Sequence, residues 1–242
     1  MTGPNPPRIL PSGDAALTVE FANTINPEAN RRVLALDRVL AGRAIEGVRE
    51  TVPTYRSLLI HYDPVQIGFA ELSKTVLALL EAGTAPSTIT RRWRVPVVYG
   101  GEFGVDLDDV ARQHGITTSE LIARHAGGDY LVAMIGFTPG FAYLSGLDPS
   151  IATPRRSSPR QHTPAGTISI GGIQACVQCL AAPSGWHLLG RTPVRTFDPG
   201  RDPVFLMEPG DAVTFEVIKP PEFEKLARAA ERGETVAELV AP

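Results

Sequence analysis

The residues with chemistry to offer are concentrated between Gly136 and Thr192. Arg155, Arg156 and Arg160 share the proline-containing segment TPRRSSPR (153–160), and Arg191 follows in GWHLLGRTP (185–193). Guanidinium groups suit bidentate recognition of carboxylate or phosphate, so these loops read as a cationic rim for a small anion. Phe137, Phe141, Tyr143 and Trp186 lie in the same motifs and could wall one pocket, with Gln174 supplying an amide. The competing reading makes the aromatics core filling and the arginines a solvated or interface face.

Other reactive side chains are less organised. His162 stands two residues after Arg160, where a general acid or base could reach solvent. His61 falls on an expected strand, and His114 and His125 near helix ends, where packing or capping accounts for them. His187 lies inside the motif stretch. Ser145, Ser169 and Ser184 lack a G-x-S-x-G elbow, and Ser184 in Pro-Ser-Gly is turn chemistry. There is no G-x-x-x-x-G-K-[ST] loop for nucleotide phosphates. Cys176 and Cys179 form a CxxC, but a second metal-spaced pair is missing. A redox CxxC usually opens a helix, whereas IQACVQCLA reads as a strand, so buried, inert thiols are expected.

Composition bounds the class. The chain has 242 residues, a net charge of −3 and 43% hydrophobic residues, as expected of a soluble globular protein without nucleic-acid affinity. Apolar runs fall well short of the roughly 18 residues of a membrane span, and MTGPNPPRIL has no signal-peptide pattern. A cytoplasmic location follows as the expectation.

The elements that must position the motifs divide at 88/89. Residues 1–88 predict a small α+β domain in the order ββαββα, with two helices on one face of an antiparallel sheet. Its strands are Arg8–Pro11, Ala15–Phe21, Val48–Val52 and Ser57–Tyr62. Asn26-Pro27 starts the first helix and Gly42 is its expected stop, while the second runs from about Val65 to Ala82 and buries Phe69, Leu72, Val76, Leu79 and Leu80. The stretch Ala82–Thr90 is small and polar and marks the boundary.

Residues 89–242 open with a strand in which Trp93, Val95 and Val97 share a face. Asp106 is expected to cap a helix stopped by Gly115, and Thr117-x-x-Glu120 to box the start of another. Strands are expected at Tyr130–Ile135, Thr167–Ile170, Ile173–Leu180, Trp186–Leu189, Val204–Met207 and Ala212–Ile218. A helix follows Pro220-Pro221. Periodicity reads this half as a barrel or sandwich.

GFTPGFAYLSGL, PRRSSPR, PAGT, GWHLLGRTP and the later FDP and PGD resemble the allophanate hydrolase subunit 1 family over nearly the whole chain. That family includes the B-type subunit of 5-oxoprolinase and KipI-type kinase inhibitors. The resemblance implies a mainly-β, cyclophilin-like barrel for the second half. It also implies one component of an ATP-dependent enzyme opening 5-oxoproline to L-glutamate. Its partner would be an allophanate hydrolase subunit 2 homologue, the C-type subunit of 5-oxoprolinase, and a third oxoprolinase subunit would complete the enzyme. ATP with Mg belongs to the complex, and neither a tightly bound cofactor nor a metal is expected on this chain. The alternatives are inhibition of a sensor histidine kinase and a component of urea or allophanate metabolism.

Arg155 and Arg191, which match the family pattern, are the catalytic candidates together with His162, which is placed there by its position beside Arg160. Pro139, Gly140, Phe141, Tyr143, Arg156 and Arg160 are expected at the substrate, with Pro164, Gly166, Gln174, Trp186, Gly190 and Thr192. After Gln174 a Thr-Gly-Ile-Tyr-Pro-like segment is replaced by Ala175–Cys179, and Ser184-Gly185 stands where family members often have two glycines.

Overall fold

The computed structural model describes residues 7–83 and 91–240. The chain divides into two compact units, Met1–Thr88 and Ile89–Pro242. Most of the expected boundary stretch, residues 84–90, lies outside the described residues.

The first unit runs β1 (Arg8–Pro11), β2 (Ala16–Glu20), α1 (Pro27–Arg43), β3 (Val48–Pro53), β4 (Ser57–Tyr62) and α2 (Phe69–Glu81). The sheet order is β1-β2-β4-β3, antiparallel throughout. Leu17, Val19, Leu58 and Ile60 meet Val33 and Leu36 of α1 and Leu72 and Val76 of α2 in one core. The Asn26 side chain accepts from the Ala29 N–H at 2.7 Å, satisfying an orphan donor of the first turn.

Three details correct the sequence reading. Gly42 lies inside α1, and the left-handed residue that ends the helix is Ala44, at φ 42°. The second helix starts at Phe69 and not near Val65, because the Asp63 carbonyl accepts from the N–H groups of Gln66 and Ile67 in a turn that leaves Val65 92% exposed. Phe69 is also exposed.

The second unit begins with β5 (Arg92–Tyr99), α3 (Leu107–His114), α4 (Thr118–Ala126), β6 (Tyr130–Ile135) and β7 (Ala142–Ser145). After a 3-10 turn at Pro149–Ile151 come β8 (Arg160–Thr163), β9 (Thr167–Gly171), β10 (Gln174–Val177), β11 (Ala182–Ser184) and β12 (His187–Arg191). The unit ends with β13 (Ala212–Val217), α5 (Pro220–Glu231) and β14 (Glu238–Val240). Strands β12-β9-β10-β7-β6-β13-β5 form a sheet that closes through β12–β5, giving a seven-strand barrel. β14 extends the β5 edge, and β8 and β11 form a separate ribbon.

Closure needs a glycine at Gly190, because a Cβ there would stand 2.5 Å from the Val98 carbonyl oxygen. The barrel bears out the mainly-β expectation for this half. Val204–Met207 is not a strand. Only the Phe197–Phe205 bridge forms there, held by the Asp198 N–H on the Val204 carbonyl and the Leu206 N–H on the Thr196 carbonyl. The expected strand Ile173–Leu180 is cut to Gln174–Val177 as Gln178 turns its amide onto Thr163. Among the described residues no helix is long and apolar enough to cross a membrane.

Candidate active site on the outer barrel wall

Alternation along the strands decides which side chains meet. On β7, β9 and β10, Ala142, Leu144, Ile168, Ile170, Ala175 and Val177 belong to the barrel core. The intervening Tyr143, Ser169 and Cys176 therefore face the opposite side of the wall. Register brings them into one row, because Cys176 pairs with Tyr143 of β7 and with Ser169 of β9. Phe141, Cys176 and Trp186 make a small cluster of their own, with Tyr143 packed against it.

The cluster is an aromatic cleft. Phe141 and Tyr143 have centroids 4.6 Å apart, Tyr143 and Trp186 5.9 Å, and Phe137 meets Phe141 edge-on at 5.5 Å. Trp186 can lie flat on the wall because Gly171 has no Cβ, which would fall 2.7 Å from the indole ring. The Arg155 guanidinium stands over that ring at 5.5 Å, a cation–π contact that aims its charge at the cleft. Together with Pro183–Gly185 these residues line a depression of about 200 Å³. At its rim Phe137 is 64% exposed and holds φ 66°, an uncommon conformation for a bulky side chain.

Burial raises the Tyr143 pKa, the neighbouring Cys176 adds to the rise and Arg155 opposes it, so Tyr143 is a neutral phenol near pH 7. Burial likewise pushes the Cys176 thiol up to about 12, against hydrogen bonding from Ser169 at 3.0 Å. Cys176 is therefore no nucleophile at neutral pH. Cys179 is also buried and free, its sulfur accepting from the Phe197 N–H at 3.2 Å.

Behind Arg155, the arginine loop is tied to Asp106. That carboxylate, buried in the wall, accepts from Arg160 at 2.6 and 2.8 Å, from Arg156 at 3.2 Å and from the Leu188 N–H at 2.8 Å. It makes no capping bond to α3, although it occupies the N-cap position. The loop backbone is fixed separately by Arg156 N–H to Gly185 O at 2.8 Å and by His187 Nε2 donating to Pro154 O at 2.9 Å.

The structure thus brings together Phe141, Tyr143, Arg155 and Trp186, with Arg156 alongside. Pro139 and Gly140 sit in the turn before β7, where Thr196 donates to the Gly140 carbonyl at 2.5 Å. Pro164, Gly166 and Thr192 belong to a backbone knot: Gly166 N–H donates to Gln178 O and Thr192 N–H to Gly166 O, each at 2.8 Å, and Thr167 Oγ1 donates to Pro164 O. Gln174 opens β10 at the outer wall, outside the cleft lining.

His162 is exposed on β8 and lies outside the cleft lining. Arg191 is at the far end of β12, roughly 16 Å along the strand from Trp186, with its guanidinium over Phe223 of α5 at 5.7 Å. The sequence reading missed Asp106, whose position before a helix signalled only a cap, and Gln178, which carried no motif signal. Among the described residues no group of three His, Cys, Asp or Glu is placed to hold a metal ion.

The family model of the carboxyltransferase domain, subdomain C and D, matches residues 7–207. The chain belongs to this family. Proteins similar to it include the 5-oxoprolinase B-type subunit of Bacillus subtilis, 35% identical over 87% of this chain and 92% of the relative. The Escherichia coli O157:H7 protein of the same name is 34% identical over 84% of this chain and 92% of its own length. In fold the chain resembles the K. lactis urea amidolyase, with a TM-score of 0.82 and 19% identity over 98% of this chain, which spans 16% of that much longer protein. The family match covers the whole cleft, since Phe137 to Trp186 lies inside residues 7–207.

Proposed function

We propose that the chain is the B-type subunit of a heteromeric, cytoplasmic 5-oxoprolinase that opens 5-oxoproline to L-glutamate with hydrolysis of ATP. The observation that carries this reading is the near full-length similarity to proteins named as the B-type subunit of 5-oxoprolinase. The cleft supports it chemically. A five-membered lactam is small enough for the depression of about 200 Å³ that Phe141, Tyr143 and Trp186 line, and its carboxylate matches Arg155. The Tyr143 phenol, kept protonated by burial, is a donor suited to a lactam carbonyl.

Within the cleft lining there is no nucleophile–base pair. In this reading the chain binds and orients, while a C-type subunit homologue and a third oxoprolinase subunit complete the reaction, with ATP and Mg held at the level of the complex. The test is ATP hydrolysis dependent on 5-oxoproline, assayed with the chain alone, with its C-type partner, and with all three proteins. Turnover confined to the full mixture is expected. Its absence from a verified, intact complex would remove the assignment.

The exposure of Phe137 favours a second reading, in which the same rim docks on a sensor histidine kinase. That reading predicts that the purified chain suppresses kinase autophosphorylation without 5-oxoproline, and that Phe137→Ala abolishes the suppression. A role in urea or allophanate metabolism has only distant similarity behind it.

A further inference from the structure

Beside the aromatic cleft, and sharing Arg155 with it, is a second depression of about 400 Å³. It is lined by Gln113 of α3, the 154–158 segment and His187, with no carboxylate among them. Three arginines, Arg155, Arg156 and Arg160, stand against the single Asp106 carboxylate, leaving a local excess of two positive charges. Arg156 gives Asp106 one Nη1 contact, and its Nε is buried without a partner. Among the described residues Arg155 touches the Trp186 ring and pairs with no carboxylate.

The donors present are two guanidinium groups, the hydroxyls of Ser157 and Ser158, and the Gln113 amide. A carboxylate offers two coplanar oxygens and one negative charge, fewer than this set can engage. A phosphoryl group carries a charge of about −1.5 to −2 and three acceptor oxygens in a tetrahedral array, which matches both the donor number and the excess charge. The segment is also preorganised. Besides the bonds at Arg156 N–H and Pro154 O, Thr153 exchanges backbone bonds with Gly172 at 2.6 and 3.2 Å. Little ordering is left for an anion to impose on the backbone.

We propose that this depression is a phosphoryl-binding subsite adjoining the aromatic cleft, with Arg155 as the wall common to both. It takes either a single phosphoryl group or the end of a polyphosphate chain. The assignment does not depend on the oxoprolinase reading, and binding to the isolated full chain tests it separately from turnover.

The experiment is calorimetric titration of the chain with inorganic phosphate, tripolyphosphate and acetate. Saturable binding of phosphate or tripolyphosphate is expected, with acetate weaker by about tenfold or more. Arg155→Gln should weaken that binding about tenfold and the Ser157→Ala/Ser158→Ala double variant about threefold, judged by the scale of charge-assisted and neutral hydrogen bonds. Arg49→Gln, which loses a surface pair with Asp63 in the other unit, should leave it unchanged. Circular dichroism verifies that each variant is folded. Acetate binding as tight as phosphate, no saturable binding by either phosphate probe, or affinity unmoved by Arg155→Gln in a folded variant would each overturn the proposal.

Discussion

Asp106 shows how one side chain can change the meaning of its neighbours. From sequence, Arg155, Arg156 and Arg160 look equivalent, yet two of them are tied to a buried carboxylate and one is left for the cleft. Asp106→Asn should cost about 2 kcal/mol, below the ~3–5 kcal/mol of a fully buried pair because both arginines keep some solvent contact. The check is the denaturant midpoint at unchanged m-value. If the proposed oxoprolinase role holds, Arg155→Ala should lower 5-oxoproline-dependent turnover of the reconstituted complex about tenfold or more, the scale of one charge-assisted hydrogen bond. Arg191→Ala should act on stability instead, since its guanidinium packs on Phe223.

His125 gives the fold a pH dependence. It is fully buried between Tyr130 and Phe215, its Nδ1 is 2.8 Å from the Tyr99 hydroxyl, and burial lowers its pKa from 6.5 to about 3. Between those values the unfolded chain binds a proton that the folded chain refuses. Stability therefore falls as pH drops below about 6.5, by up to ~1.4 kcal/mol per unit from this group. Unfolding curves from pH 7 to 4.5 should show that slope, and His125→Gln should remove it.

At the scale of elements, the site depends on barrel closure. β12 carries Trp186 at its entry and Arg191 at its exit, and it must lie against β5 for either to be placed. A methyl group at Gly190 meets the Val98 carbonyl, so Gly190→Ala should destabilise the second unit by about 2 kcal/mol or more, as overpacking against backbone does. Thermal unfolding followed by tryptophan emission isolates this effect, because Trp93 and Trp186 both belong to that unit. The same strands make the thiols inert. Neither Cys176 nor Cys179 should react with an aromatic disulfide reagent until the barrel unfolds.

For the molecule as a whole, each unit has a core of its own, one around Leu36 and Ile60 and the other around Val95, Tyr130 and Leu189. We expect residues 89–242 produced alone to retain the tryptophan emission and near-ultraviolet dichroism of the full chain. A red-shifted, featureless spectrum would show that the barrel needs the preceding residues to fold. The cleft and the adjoining cationic depression both lie within this second unit, so phosphate binding should persist in the fragment if it folds.

The sequence by itself determined the elements whose side chains repeat with a clear period, including α1 with its Asn26 cap, β4, β6 and β13. It also marked the arginine and aromatic motifs, because Gly, Pro, Arg and Trp at irregular spacing are not what core packing alone requires. It could not find β7, β8, β11 or β14, which are only three or four residues long, too short to display a period. Nor could it rank the arginines or separate Arg191 from Arg155, since those distinctions rest on pairings between residues tens of positions apart. Asp106 meets Arg160 across 54 positions, and Tyr143 meets Cys176 across the β7–β10 ladder. Only the closed barrel brings such partners to one wall, because strand register, rather than sequence proximity, selects which side chains share a face.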